Sequence, residues 1–371
     1  MIPERSPYYT YETKTIFACG ERDPGTLAAS ETTGEPLKLA YRKYSKTAET
    51  CSNTIQLNLV FSHGNGMNKG VWHTHIDQLY VWLSELSTIN SLVQLNTVIA
   101  IDVFNHGDSA ELNEGRLGDN YDWRDSARDV IKVVTQDESH VFLNKDKTMN
   151  ILVGHSLGGF IAMYTAYLGG PQLFDSCIAI NPVAYSGNTL EEGIERFRYW
   201  RDNFIKTEFT INDPENWYHE VETYFKKKSF HIRANDVVLK NMLEDDIPKT
   251  VRERKQNSHV ALKSTLDAQM ACYFNMHRST TASYEKYKEI KIPFYQILGE
   301  KDTANEVART AIADATKDVI HNIVVPGARH LLNSEDPLLT SQLLLLIIQQ
   351  RVLLQNKKLS MSARTIRKAS L

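Results

Sequence analysis

Along this chain, short apolar runs alternate with longer stretches in which apolar positions recur every three to four residues. The first pattern predicts buried strands and the second amphipathic helices. Their alternation predicts a mostly parallel sheet flanked by helices. Residues 37–44 alternate apolar and polar side chains and are predicted as an early antiparallel strand. Core strands are predicted at 55–61, 97–103, 149–153, 176–180, 292–298 and 319–325. Helices are predicted at 71–86, 122–134, 157–168, 304–315 and 336–354.

One stretch breaks the alternation. Residues 183–289 show helical patterning, many aromatic, methionine and charged side chains, and no good buried strand. They are predicted to form a helical cap inserted between two core strands. The expected organisation is an N-terminal extension (1–35), a core (36–182 and 290–355), the cap (183–289) and a flexible C-terminal tail (356–371). With 371 residues the chain is long enough for such a core and cap.

Composition removes several alternatives. A formal net charge of −3 gives no basic surface for a polyanion, so no nucleic-acid partner is expected. Cys19, Cys51, Cys177 and Cys272 are far apart, with no CxxC spacing, and are expected to be free thiols in an intracellular setting. The N-terminal stretch has no apolar signal core, and residues 338–354 are interrupted by Gln342, Gln349, Gln350 and Arg351. Neither a signal peptide nor a membrane-spanning helix is expected. His73-Thr74-His75 does not suggest a metal site, because residues two apart on a helix face different ways. Lys226-Lys227-Lys228 is expected to be a solvated face. No metal and no cofactor is expected.

Chemistry concentrates where strands end. Gly154-His155-Ser156-Leu157-Gly158 follows an apolar strand and opens a helix. In that context G-x-S-x-G is a sharp elbow that exposes the serine hydroxyl, so Ser156 is the expected nucleophile. A serine needs a base, and His330, after the last strand and its Pro-Gly turn, is the best placed of twelve histidines. The base needs an orienting acid. Asp302 ends the preceding strand, with Glu300 as its nearest rival, whereas Asn181 fills the equivalent end of the 176–180 strand and carries no charge. Acyl transfer also requires two N–H donors for the oxyanion. Leu157 is expected to give one and Asn65 the other, with Gly66 second to Asn65. Met67, Trp72 and His155 are expected to contact substrate, a small-molecule ester or lipid.

Four segments carry a family resemblance: Phe61-Ser62-His63-Gly64-Asn65-Gly66-Met67 with Trp72; 101–109, containing Asn105-His106-Gly107-Asp108-Ser109; 115–130, from Gly115-Arg116-Leu117-Gly118 to Val130; and the elbow, 154–160. On these the chain resembles the fungal peroxisomal lipase-like α/β-hydrolases, a group similar to hydrolases of fungal toxin biosynthesis. The resemblance covers 36–182 well, returns at 292–337 and is loose in the cap. It implies an α/β-hydrolase fold and a lipase or esterase acting on fatty acyl esters, in or near the peroxisome. The chain ends Lys368-Ala369-Ser370-Leu371, a departure from the small–basic–Leu address of that compartment. An acyl-thioesterase or acyltransferase on the same three residues is the alternative among enzymes. A hydrolase-fold binding protein of low turnover is the alternative outside them.

Overall fold

The computed structural model describes residues 6–31, 33–51, 54–85, 91–144, 148–185, 190–302 and 306–369. Eight strands form the central sheet: β1 (Tyr9–Phe17), β2 (Lys38–Lys46), β3 (Ile55–Ser62), β4 (Val93–Ile101), β5 (Thr148–His155), β6 (Ser176–Ile180), β9 (Phe294–Gly299) and β10 (Ile320–Val325). Their order is β1-β2-β4-β3-β5-β6-β9-β10. β1 and β2 pair antiparallel, as do β2 and β4; every pairing from β4 through β10 is parallel. This is the α/β-hydrolase arrangement.

The central strands are apolar throughout because both faces are covered. All eight residues of β3 are buried. Leu57, Leu59 and Phe61 face one core with Trp72, Ile76, Leu344 and Ile348. Val60 faces the other with Leu152, Phe160 and Ile161. The chain leaves β3 for β4 on one side, then returns to lay β5 on the other. Such a reversal opens a crevice beyond the strands' carboxyl ends, where open α/β sheets bind ligands. Here that crevice lies between the loop after β3 and the elbow after β5.

The N-terminal extension departs from expectation, because residues 9–17 supply the edge strand β1. Its residues are mostly exposed, so no apolar run marks it in the sequence. Residues 18–31 and 33–35 then wrap the segment that carries the family resemblance. Arg22 donates to both Asp129 carboxylate oxygens, at 2.7 and 2.8 Å, and Leu27 bridges to Leu117. A methyl group on Gly118 would lie 2.1 Å from the Gly25 carbonyl oxygen, so the segment needs glycine there.

Helices α1 (His73–Glu85), α2 (Gly107–Leu112), α3 (Trp123–Lys132) and α4 (Leu157–Leu173) belong to the core. The cap holds α5 (Leu190–Phe204), α6 (Trp217–Lys227), α7 (Asp236–Asp246), α8 (Leu266–Phe274) and α9 (Met276–Ser283). It also contains two three-residue strands, β7 (Glu208–Thr210) and β8 (His259–Ala261), paired antiparallel. They are too short to leave a strand signature. α10 (Glu306–Ala315) and α11 (Pro337–Ala369) return to the core.

α11 continues through Ala369, so the segment expected as a flexible tail from residue 356 is helical; Ser370 and Leu371 lie outside the described residues. Its stretch Pro337–Lys357 is long and apolar enough to cross a membrane. Here one face of it packs on the core, while Leu338, Leu346, Leu353 and Leu354 are exposed. Leu344, Ile347, Ile348 and Val352 are buried against the sheet, and Arg351 pairs with Asp175 at 2.9 Å.

Candidate active site

The elbow between β5 and α4 is a product of close backbone approach. Ser156 sits at φ 56°, ψ −115°; it and Asn181 (φ 41°) are the non-glycine residues with positive φ among those described. Both lie at the site, where backbone strain of this kind tends to collect. A Cβ on Gly154 would come within 1.9 Å of the Gly158 carbonyl oxygen, and one on Gly158 within 2.1 Å of the Ser62 oxygen. A Cβ on Gly159 would come within 2.7 Å of Pro182 Cβ. Ser156 N–H donates to Ile180 O at 3.0 Å, which ties the elbow to β6.

Two loops bring partners to Ser156. His330, after β10, places Nε2 2.9 Å from Ser156 Oγ and Nδ1 3.0 Å from Asp302 Oδ2. With a carboxylate at Nδ1, that nitrogen carries the proton and Nε2 is free to accept the serine hydroxyl. Asp302 is buried after β9. Burial pushes its carboxyl up, but the hydrogen bond and charge of His330, together with Arg309, leave it below the ordinary aspartate value. Arg309 also clamps the loop by donating to the carbonyls of Gly299 and Asp302 at 2.6 Å each. The rival Glu300 is turned away and accepts Gly327 N–H at 2.7 Å.

The His330 loop is itself held by two residues to which sequence reading gave no such role. Asn181 Nδ2 donates to the carbonyls of Arg329 and His330 at 3.0 Å, while its Oδ1 accepts Gly299 N–H at 2.8 Å. His155 Nε2 lies 2.8 Å from His330 O and so is the protonated nitrogen. Its Nδ1 is buried without a partner. Burial, and then the nearby His330, press the His155 pKa down to about 3, so the ring is neutral. His155, expected to contact substrate, does line the cavity, but its ring also fixes the His330 backbone.

The loop after β3 supplies the other rim. Asn105 Nδ2 is committed to Ala268 O at 3.1 Å, so its Oδ1 faces His106 Nδ1, which must carry the proton. In that tautomer His106 Nε2 accepts Gly66 N–H at 3.1 Å, and it also lies 3.0 Å from Asn65 Oδ1. That bond uses up the Gly66 N–H. The Asn65 and Leu157 N–H groups have no partner among the described residues. Cap helix α8 holds the same loop, since Asn65 Nδ2 donates to Gln269 O at 3.0 Å.

A cavity of about 620 Å³ opens over Ser156. Its floor is Gly64–Met67 and His155–Leu157, and its roof includes the cap residues Phe197, Trp200, Phe225, Phe230 and Tyr273. Met67 reaches it. Trp72, also expected to touch substrate, does not: it is fully buried behind the loop, its ring 5.0 Å from Phe61 and 5.2 Å from His75. The short helical turn at Lys69–Trp72 rotates its ring into the core.

Beneath the loop, Lys69 is wholly buried between Asp102 and Asp108, at 2.7 Å from each. Arg42 of β2 reaches Asp245 of α7 at 2.7 Å, and Lys263 of the cap pairs with Asp108 and with Glu111. These ion pairs bolt the inner side of the cap to the sheet.

The "Alpha/beta hydrolase family" model matches residues 59–342, which contain the elbow, both partner loops and the whole cap. The chain belongs to the α/β-hydrolase family. Within it the chain is 30% identical to the "Peroxisomal membrane protein LPX1" of Saccharomyces cerevisiae over 343 residues, 88% of this chain and 83% of the relative. The solved structure described as that yeast's peroxisomal alpha-beta-hydrolase Lpx1 matches with TM-score 0.80 and 26% identity, covering 98% of this chain and 99% of that one. The "Type I acyl-CoA thioesterase mpaH'" of Penicillium brevicompactum is 22% identical over 304 residues, 78% of this chain and 62% of that protein.

Proposed function

We propose that the chain is a serine hydrolase that cleaves carboxylic esters, of fatty acyl type, through an acyl-enzyme on Ser156. The observation that carries this reading is the unbroken line Asp302–His330–Ser156, with contacts of 3.0 and 2.9 Å, at the floor of a largely apolar cavity. As Ser156 Oγ attacks the acyl carbon, His330 Nε2 takes its proton and the carbonyl oxygen becomes an oxyanion. Leu157 and Asn65 N–H, both without other partners among the described residues, would receive that charge. Asp302 stabilises the imidazolium. His330 then returns the proton to the departing alkoxide. A water, deprotonated by His330, attacks the acyl-enzyme and releases the acid and free Ser156.

A hydrolase with a small-molecule substrate suits both the family and the cavity over Ser156. The expected compartment is the peroxisome, by the name of the yeast relative.

A second reading, hydrolysis of acyl-CoA thioesters, has one observation in its favour beyond the Penicillium relative. Lys206, Arg233 and Arg329 are exposed where they line the cavity, and none has an ion pair among the described residues. Cations at the mouth of an apolar pocket suit a ligand with an acyl tail and phosphates. The test compares p-nitrophenyl and CoA esters of the same acid. The ester reading predicts Ser156-dependent turnover of the p-nitrophenyl series with a chain-length optimum. A CoA substrate preferred by kcat/KM, with that preference lost in Arg233→Ala/Arg329→Ala, would replace it.

A further inference from the structure

The outer surface of the cap, around the mouth of the cavity, differs from its bolted inner side. Two cap segments, 199–206 and 227–233, lie side by side there, because the Phe204 and Phe230 rings are 5.0 Å apart. Tyr199 packs on Phe204 at 5.8 Å and Trp200 on Phe230 at 5.5 Å. Tyr199 is 58% and Ile232 54% exposed, while Trp200, Phe204, Ile205 and Phe230 are half-buried. The aromatic packing of the roof therefore continues out to solvent as an apolar patch.

The same surface is basic. Of the residues that line the cavity, the exposed ones are Lys206, Ile232, Arg233 and Arg329. The two segments carry five basic residues, Arg201, Lys206, Lys227, Lys228 and Arg233, against one acid, Asp202, in a chain of net charge −3. Arg201 is paired with Asp202 at 2.8 Å. Lys206 has its ammonium 4.9 Å from the Phe209 ring, and neither it nor Lys227, Lys228 or Arg233 has an ion pair among the described residues.

A contiguous exposed apolar patch marks a docking surface, and the charge around it selects the partner. A second copy docking by the same patch would bring like charges together. A dissolved phosphate ligand would use the cations but not Tyr199, which does not line the cavity. A bilayer with anionic headgroups complements both features. Its interfacial zone takes up tyrosine and tryptophan rings, and its headgroups attract lysine and arginine. It also brings acyl chains to an apolar opening, so a chain passes from one apolar medium into another.

We propose that segments 199–206 and 227–233 form a docking surface for an anionic lipid bilayer, which holds the mouth of the cavity against the membrane. The docking stands by itself. Its consequence rests on the hydrolase reading: the substrate class is an acyl ester carried in the lipid phase.

The experiment sediments the full chain with phosphatidylcholine vesicles, plain or containing about 30% phosphatidylglycerol. Binding to the anionic vesicles is expected to be about tenfold tighter or more, and to weaken as salt is raised. Tyr199→Asp, Ile232→Asp and the pair Lys227→Glu/Lys228→Glu are each expected to weaken it by about tenfold, with thermal unfolding as in wild type. Tyr199→Asp is further expected to lose about tenfold in turnover of an ester embedded in the anionic vesicles while keeping the wild-type rate on dissolved p-nitrophenyl butyrate. Wild-type protein that stays in the supernatant with both vesicles overturns the proposal. So does binding indifferent to phosphatidylglycerol, or binding that all three variants leave unchanged, since the contact then lies elsewhere. A concentration-dependent dimer lost in Tyr199→Asp, with no vesicle binding, assigns the patch to a second copy and overturns it too. Vesicle binding that the variants weaken, without any Ser156-dependent turnover, strikes the hydrolase reading and supports the docking surface.

Discussion

The elbow and the cap hold their shapes by different means. At the elbow, backbone meets backbone: Gly154, Gly158 and Gly159 each sit where a methyl group would collide with main chain or with Pro182. In the cap, side chains do the holding. Aromatic rings pack over the cavity, as with Phe197 on Tyr273 at 5.1 Å, and the ion pairs around Lys69 and Asp245 fasten the inner side. The first kind of construction tolerates almost no change and fixes reacting atoms. The second can change residue by residue while the fold stands. On the proposed function, chemistry belongs to the carboxyl ends of the central strands, and choice of substrate to the cap.

The largest expected effect lies on the sheet side. Asp302→Asn keeps the shape but removes the charge that fixes the His330 tautomer. A drop in kcat of about 10³–10⁴ with little change in KM is expected from steady-state kinetics. A loss below tenfold would show that another acid orients His330. Next comes Gly158→Ala. Its methyl would stand 2.1 Å from Ser62 O, so β3 and α4 must separate. Destabilisation of about 3 kcal/mol or more is expected in urea unfolding. A cost under 1 kcal/mol would mean that the elbow is looser than its contacts indicate.

The cap should respond more gently. Trp200→Ala opens the roof and is expected to lower kcat/KM for long-chain esters by about tenfold while leaving kcat on a short ester near wild type. An equal fall in kcat on every chain length would place Trp200 in the chemistry and erase the contrast.

The smallest effect is in acid. Burial presses His75, in α1, down to about 4, against an unfolded value near 6.5. The unfolded chain therefore takes up the proton first as pH falls. Stability from this group is whole above about pH 6.5 and is lost progressively towards pH 4. Thermal unfolding should show wild type losing stability from pH 7 to pH 5, and His75→Gln losing less by on the order of 1 kcal/mol. Parallel curves would contradict this.

The sheet was legible because its central strands are buried on both faces and leave continuous apolar runs. β1 was not, since its mostly exposed residues resemble an ordinary extension. The cap was visible only as an interruption, and its three-residue strands are below the length at which alternation means anything. Ser156, His330 and Asp302 stood out because each ends a strand in a recognisable turn, and the fold brings all three together. The parts of Asn181, His155 and His106 were hidden. Each depends on where a distant carbonyl or N–H points, and side-chain type does not encode that. Trp72 was misplaced for a related reason, because the direction of a side chain after a loop is set by the turn that follows it.

The most direct test is the intact mass of wild-type and Ser156→Ala protein after exposure to a fluorophosphonate. A single adduct on the wild type, mapped by peptide sequencing to Ser156 and missing from the variant, is the predicted result. An unlabelled wild type, or an adduct that survives in Ser156→Ala, would contradict the assignment of Ser156 as the activated nucleophile.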